Sequence, residues 1–401
     1  MKPRFLRNAI TLGLLSAIGP FAIDMYLPAL PAISRSLHAA GGTVQMTLTV
    51  FFIALSIGQP VCGALADRFG RKPPLYGGLT LFAVATVGCA TAPGLPALIV
   101  FRFLQGLGAC AGIVIPRAIV RDLHRGVEAT RLMSLIMLVF SVSPILAPLT
   151  GSFVIQHGGW RAIFWTVLAA ALAGLAIAAT LRETRTHAQR TQGGLSAALA
   201  AYGVLLRDPY FLGLSLTGTF GLAGFFVYLS NSPFVLIEHY HLSPRLYSVL
   251  FSVNAAAFFA TAQLNAWLAE RIGLRALVRR AASGYALAMV ALFAVFASGV
   301  DRLELLATLL FIGYGFLGLV LPTAAVLAFE EHGAIAGTAS AMLGTVQFAA
   351  GSSVMLLVSS FSNGTPLPMV AGIAGCASLA WLFAQVTLRR SSEPRGEAAA
   401  E

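Results

Sequence analysis

Long apolar blocks alternate along this chain with short clusters of charge, glycine and proline, and each block is about as long as the roughly 20-residue helix that crosses a bilayer. The blocks are residues 8 to 30, 44 to 66, 74 to 92, 96 to 117, 131 to 155, 160 to 181, 209 to 236, 246 to 268, 277 to 298, 303 to 327, 334 to 360 and 366 to 388. The pattern predicts an all-α membrane protein with twelve transmembrane helices. The longest polar interruption, Arg182 to Asp208, splits the spans six and six. Residues 1–181 and 209–390 are therefore predicted as two six-helix bundles, with 182–208 a linker and 391–401 a disordered tail. Within the linker Leu195, Leu199, Tyr202 and Leu206 recur at helical spacing, which fits an amphipathic helix on the membrane surface or, equally, a plain tether.

The polar punctuation also repeats. Gly63-Ala64-Leu65-Ala66-Asp67-Arg68-Phe69-Gly70-Arg71-Lys72 closes the second span with a glycine, a carboxylate and a basic cluster, and then opens the third. In the second half Ala266-Trp267-Leu268-Ala269-Glu270-Arg271-Ile272-Gly273-Leu274-Arg275 keeps Leu, Ala, an acid, Arg, Gly and a final base in the same register. Both segments follow the second span of a half. This reads as a duplication that builds two pseudo-symmetric bundles around a central site.

Composition strengthens the membrane reading. Residues are 58% hydrophobic and 10% charged, and mean hydropathy is +0.83, against roughly 25% charged in soluble domains. The net charge of +11 comes from small clusters between apolar runs and lines no single face, which argues against a nucleic-acid partner. On the twelve-span pattern about 21 Lys and Arg fall on one side and about 4, namely Arg35, Arg161, Arg245 and Arg302, on the other. Positive residues gather inside, so both termini are expected in the cytoplasm. Cys62, Cys89, Cys110 and Cys376 sit within apolar blocks without metal-ligand or disulfide spacing. The basic-then-apolar start looks like a signal peptide, but the many similar spans that follow make it an anchor.

A few polar residues stand out against this background. Asp24 lies inside the first span between Pro20 and Pro28, and intramembrane charges usually mark ion or substrate pathways. Removal from water favours the neutral acid, so such a carboxylate suits proton exchange. Arg102 lies at a similar depth in the fourth span, about 9 Å in from the outer end as Asp24 is, so the two could approach one another, directly or through water. Asp67 ends a helix at its negative pole and needs a positive partner: Arg68, Arg71, Lys72, or the start of the eleventh span near Gly333 to Gly337. By pseudo-symmetry Glu270 is expected to face Arg131. These contacts are read as a cytoplasmic latch. Pro148 and Gly151 in the fifth span fit a bend or sliding surface. Tyr26, Gln105, Tyr228, Asn231, Asn254, Gln263 and Gln347 are candidates to line a substrate cavity, with Asn265 also considered, although Asn and Gln often just join neighbouring helices.

The turn after the second span resembles the signature loop of the major facilitator superfamily, G-x-L-a-D-r-x-G-r-K. Leu98-x-x-x-Arg102-x-x-Gln105-Gly106-x-Gly108-Ala109 looks like the superfamily's proton-coupling motif. Ser143-Pro144-Ile145-Leu146-Ala147-Pro148-Leu149-Thr150-Gly151 resembles its antiporter motif, with Ala147 where glycine usually precedes the proline. Further pieces, Asp24 to Pro31, Arg117 to Asp122, Gly159 to Phe164, Ser232 to Val235 and Gly337 to Ala341, resemble the Bcr/CflA type of drug:proton antiporter. The resemblance implies alternating access and export of amphipathic drugs or toxic small molecules across a bacterial inner membrane, driven by inward proton flow. It assigns coupling to Asp24 and Arg102, and gating to Gly63, Asp67, Arg68, Gly70 and Arg71. The alternative is a proton-coupled exporter of one native metabolite, a sugar, amino-acid or nucleoside derivative. Small-molecule substrate, protons and lipid are the expected partners; a monomer without cofactor or metal is expected. An enzyme is disfavoured because His38, His124, His157, His187, His239, His241 and His332 fall in or near predicted loops, and neither HExxH nor GxSxG occurs.

Overall fold

The computed structural model describes residues 3–123, 126–184, 202–330 and 336–390. Helix α1 (Pro3–Asp24) passes through a 3-10 turn (Leu27–Ala29) into the short α2 (Leu30–Ser36). Pro28 and Pro31 each open the segment that holds them, because proline lacks the N-H that an uninterrupted helix would need there. Asp24 is thus the last residue of α1, at an interruption of the first span.

Next come α3 (Gly41–Phe69), α4 (Lys72–Thr91), α5 (Leu95–Leu123) and α6 (Gly126–Ala179). The last bends at Gly159, whose φ of 70° only glycine adopts easily; its two arms are separate spans. The second half holds α7 (Pro209–Pro233), extended by a π-helical turn (Phe234–His239), α8 (Pro244–Gln263), α9 (Asn265–Ile272), α10 (Leu274–Ala297), α11 (Leu303–Phe329), α12 (Ala336–Ser360) and α13 (Leu367–Arg390). Asp208 and Ser243 cap α7 and α8 by accepting from the Tyr210 and Leu246 amides at 2.8 and 3.2 Å. Among the described residues eleven helical stretches are long and apolar enough to cross a membrane. Counting the arms of α6 separately gives the twelve spans expected. Residues 185–201, which hold Leu195 and Leu199, lie outside the described residues; Tyr202 begins a short helical turn, in which Leu205 is buried and Leu206 exposed.

Helices α1 and α3 to α6 pack into one bundle and α7, α8 and α10 to α13 into a second. The halves meet along α3 against α12 and along the first arm of α6 against α8. Close approach rests on small residues: a Cβ at Gly106 would lie 2.5 Å from the Phe51 carbonyl oxygen, so α5 and α3 come within backbone contact there. Alternating chain direction brings both ends to one face, here the terminal face, together with the turns at Gly70 and Gly273. Those two glycines adopt φ of 93° and 78°. The repeated turn seen in the sequence is therefore repeated in backbone geometry.

Candidate functional site

Asp24 is buried, 5% exposed, and the Ser143 hydroxyl on the first arm of α6 donates to its Oδ2 at 3.5 Å. Two turns further along that arm Gly151 meets the α1 chain end: a Cβ there would collide with the Met25 carbonyl oxygen. Across the seam, the 3-10 turn that follows Asp24 packs against α7 and α8. Asp24 therefore sits inside the protein, near where the two halves adjoin, on a backbone break that α6 packs against.

Arg102 is fully buried between two aromatic rings, with its guanidinium carbon 4.4 Å from the centroids of both Tyr26 and Phe51. Its Nη1 donates to Gln105 Oε1 at 2.7 Å; Gln105 Nε2 in turn donates to Thr86 Oγ1 at 2.8 Å, and the Tyr26 hydroxyl pairs with Thr47 at 2.8 Å. Nε and Nη2 of Arg102 have no partner among the described residues. An approach of Asp24 to Arg102 is not realised as an ion pair. Depth fixes one coordinate only: Asp24 turns toward α6, whereas Arg102 turns toward α3 and the ring of Tyr26, beyond the break.

The halves are joined by a set of polar and aromatic contacts. On α8 the Ser248 and Ser252 hydroxyls donate to the Pro148 and Ile145 carbonyl oxygens of α6 at 2.8 and 2.7 Å. Proline rings at 144 and 148 open the helix locally, and Pro148 lies in this docking segment. Gln45 Nε2 donates to Asn231 Oδ1 at 3.2 Å, and Ser56 donates to the Thr345 carbonyl at 3.1 Å. Phe52, Phe226 and Phe348, from α3, α7 and α12, form a stacked trio with centroids 4.4 to 5.7 Å apart. At the face opposite the termini Arg35 reaches Glu238 at 3.4 Å. Toward the terminal face Gly63 looks into open space and α9 buries no side chain. Among the described residues, the side-chain contacts that join the halves thus lie away from the terminal face.

The candidate cavity residues divide accordingly. Tyr26 and Gln105 are enclosed around Arg102. Tyr228 receives a hydrogen bond from Asn254 at 3.0 Å and stacks on Phe251, and the Tyr228–Asn254 pair edges a recess of about 40 Å³. Asn231 also donates to the Val227 carbonyl at 2.9 Å. Asn265 joins α9 to α11 by donating to the Gly318 carbonyl at 3.1 Å. In this conformation these side chains are satisfied by protein; Gln347 is half-buried and Gln263 exposed.

At the terminal face Arg71 gathers carboxylates. Its Nη1 reaches Asp67 at 2.9 Å, and its Nε and Nη2 reach Asp122 at 2.7 and 3.1 Å. Burial alone would lower the Arg71 pKa, but the Asp122 and Asp67 carboxylates reverse this and hold it above the ordinary arginine value. Glu183 accepts from the Arg71 and Lys72 amides at 2.9 and 3.0 Å, capping α4. Arg68 instead lies over Phe69. None of these contacts involves the second half. Residues 331–335, at the predicted start of the eleventh span, lie outside the described residues. Glu270 and Arg131 are both exposed, and among the described residues no ion pair joins them.

Sequence reasoning assigns no role to Ser143, Ser248, Ser252, Gln45, Asp122, Glu183 or the phenylalanine trio. Ser248 and Ser252 carry one usable signal, two hydroxyls four residues apart on a single helix face.

The model of the Major Facilitator Superfamily matches residues 12–355. This chain belongs to that superfamily. It is 36% identical over 367 residues, 91% of each chain, to an uncharacterized MFS-type transporter, YdgK, of Bacillus subtilis (strain 168). It is 28% identical over 399 residues, 96% of this chain and 97% of the relative, to a bicyclomycin resistance protein homolog of Haemophilus influenzae. The crystal structure of a D-xylose-proton symporter superposes with a TM-score of 0.75 at 15% identity, covering 95% of this chain and 97% of that one. At that identity the likeness is one of fold. The chain is a multi-pass membrane transporter, not an enzyme.

Proposed function

We propose that this transporter exports amphipathic drugs or other toxic small molecules from the cytoplasm in exchange for protons, as a Bcr/CflA-type antiporter of the bacterial inner membrane. The observation that carries the reading is Asp24: a buried carboxylate with one weak hydroxyl partner, on a broken helix, beside the segment that resembles the antiporter motif. Such a group suits alternate loading and release of a proton when α1 and α6 shift together. The relative named a bicyclomycin resistance protein homolog supports a drug-like substrate.

Both termini are cytoplasmic in this reading, since the twelve-span pattern assigns about 21 of the Lys and Arg to the side of the termini. The seam contacts then close the outer side, which leaves the terminal face as the side that opens to the cytoplasm. Arg102 biases charge in the first half, and its two unpartnered nitrogens, Nε and Nη2, are available to donate to an oxygen of substrate or to Asp24 in another state of the cycle. The Asp67–Arg71–Asp122 cluster braces the terminal-face turn, and Gly63 and Gly70 let that turn close against the second half. The single chain works as a monomer.

The test is transport in reconstituted vesicles. Asp24→Asn is expected to abolish uphill, pH-driven efflux while leaving some downhill exchange; full proton coupling in that variant removes Asp24 from the mechanism. A drug panel in cells lacking their own pumps, repeated with the proton gradient collapsed, separates the drug reading from export of one metabolite, which a single saturating compound would indicate.

A further inference from the structure

Away from the seam, α10 and α13 leave between them an open recess of about 490 Å³ lined by Ala276, Arg279, Arg280, Ser283 and Gln385. We infer that this recess binds the phosphodiester headgroup of an anionic phospholipid from the leaflet at the terminal face. Arg279 and Arg280 are the fifth and sixth residues after Leu274, at the helix start, so they lie about 8 to 9 Å in along α10, at headgroup depth.

The recess has a built polar floor. Arg279 Nε donates to Gln385 Oε1 at 3.1 Å, Gln385 Nε2 and Trp381 Nε1 each donate to the Ser283 hydroxyl at 3.1 Å, and Ser283 donates to the Arg279 carbonyl at 2.9 Å. This network fixes Arg279 through one nitrogen. Among the described residues neither its two Nη groups nor any nitrogen of Arg280 has a carboxylate partner. Two guanidinium groups without counter-charge in one recess call for an anion, and arginine's fork matches a phosphate's oxygens.

The surroundings decide between a lipid and a free phosphate. Leu287, seven residues beyond Arg280 on the same face of α10, is 72% exposed. Trp381 and Leu382 on α13 are 41% and 46% exposed. An apolar wall thus runs from the recess toward the membrane middle, as acyl chains need, and an indole stands at its edge, where tryptophan marks the interface. Basic pockets between spans on the cytoplasmic side suit anionic headgroups.

This inference rests on the topology given under the proposed function, and its test reads lipid rather than transport, so the two can fail separately. The full chain in detergent is titrated with phosphatidylglycerol, phosphatidylcholine of the same acyl chains, and inorganic phosphate, with bound lipid counted by native mass spectrometry. At least tenfold preference for phosphatidylglycerol is expected. R279Q/R280Q should reduce its affinity to that for phosphatidylcholine, whereas R302Q, on the other face, and Asp24→Asn should keep it. Equal affinities for the two lipids, undiminished phosphatidylglycerol binding in R279Q/R280Q, or displacement by submillimolar phosphate overturns the inference. Should the double variant not give a monodisperse peak, R280Q alone, at an exposed side chain, is expected to lose at least threefold; no loss overturns the inference equally.

Discussion

Replacing Ser248 and Ser252 together by alanine tests whether hydroxyls on α8 hold the seam closed. Each donates to a carbonyl of α6, at 2.8 and 2.7 Å, and alanine removes both bonds with little change in volume. Polar contacts between membrane helices average about 0.6 kcal/mol and reach about 1.7. Ser248 shares its proton with the Pro244 carbonyl at 2.9 Å, so its bond belongs at the lower end. Together the two are worth about 1 to 2 kcal/mol, which changes a two-state ratio by about 5- to 30-fold. Spin labels at exposed Ser36 and Arg245, one in each half, read the separation directly; the native cysteines are all buried, so introduced thiols take the label. Distance distributions should gain a longer component in S248A/S252A, with each single variant between it and the parent. The refuting result is a double variant whose distribution and melting temperature both match the parent.

Three further substitutions address other parts of the molecule. Arg71→Ala removes the guanidinium that the Asp67 and Asp122 carboxylates share; since Asp67 is half exposed and Asp122 keeps the Thr184 hydroxyl, the loss is about 1 to 2 kcal/mol, seen as a lower melting temperature in detergent, and an unchanged melt would show the cluster to be ornamental. Gly151→Val forces α6 away from Met25, so yield of monodisperse protein should collapse; normal yield with normal transport would mean the close contact is dispensable. Phe348→Ala opens the stacked trio, where each aromatic pair adds about 0.5 to 1.5 kcal/mol, and should weaken efflux of aromatic drugs about tenfold while a small competing substrate is still driven by the proton gradient.

The fold is legible in the sequence because the strongest constraint on it acts along one dimension. A bilayer requires an apolar run of fixed length and sorts the charges at its ends, and both quantities are printed in the order of residues. Even the turn between the two arms of α6 is marked, by the pair Gly158-Gly159, the second of which takes the positive φ. The internal duplication is legible for the same reason, since a turn that needs glycine at positive φ keeps its glycine, at 70 and again at 273.

The site is less legible because it depends on azimuth and on which state of the cycle is occupied. Asp24 and Arg102 share a depth in the sequence pattern, but rotation about α1, redirected by Pro28 and Pro31, sends one carboxylate toward Ser143 and leaves the guanidinium between two rings. No spacing rule within a single helix contains that information. Glu270 and Arg131 show the second limit: pseudo-symmetry pairs them in one state of the cycle only, and here both are exposed with no ion pair between them among the described residues. Conversely, the bonds that shut the other face come from serines, which in an apolar helix usually bond to their own chain's carbonyl four residues back. Ser248 does both, to Pro244 and to Pro148. That double acceptor gives the Ser248 hydroxyl a place to go when the seam opens, so this contact of the outer closure can break without leaving its donor unpaired, and a bound substrate or proton shifts the balance by its differential affinity for the two states.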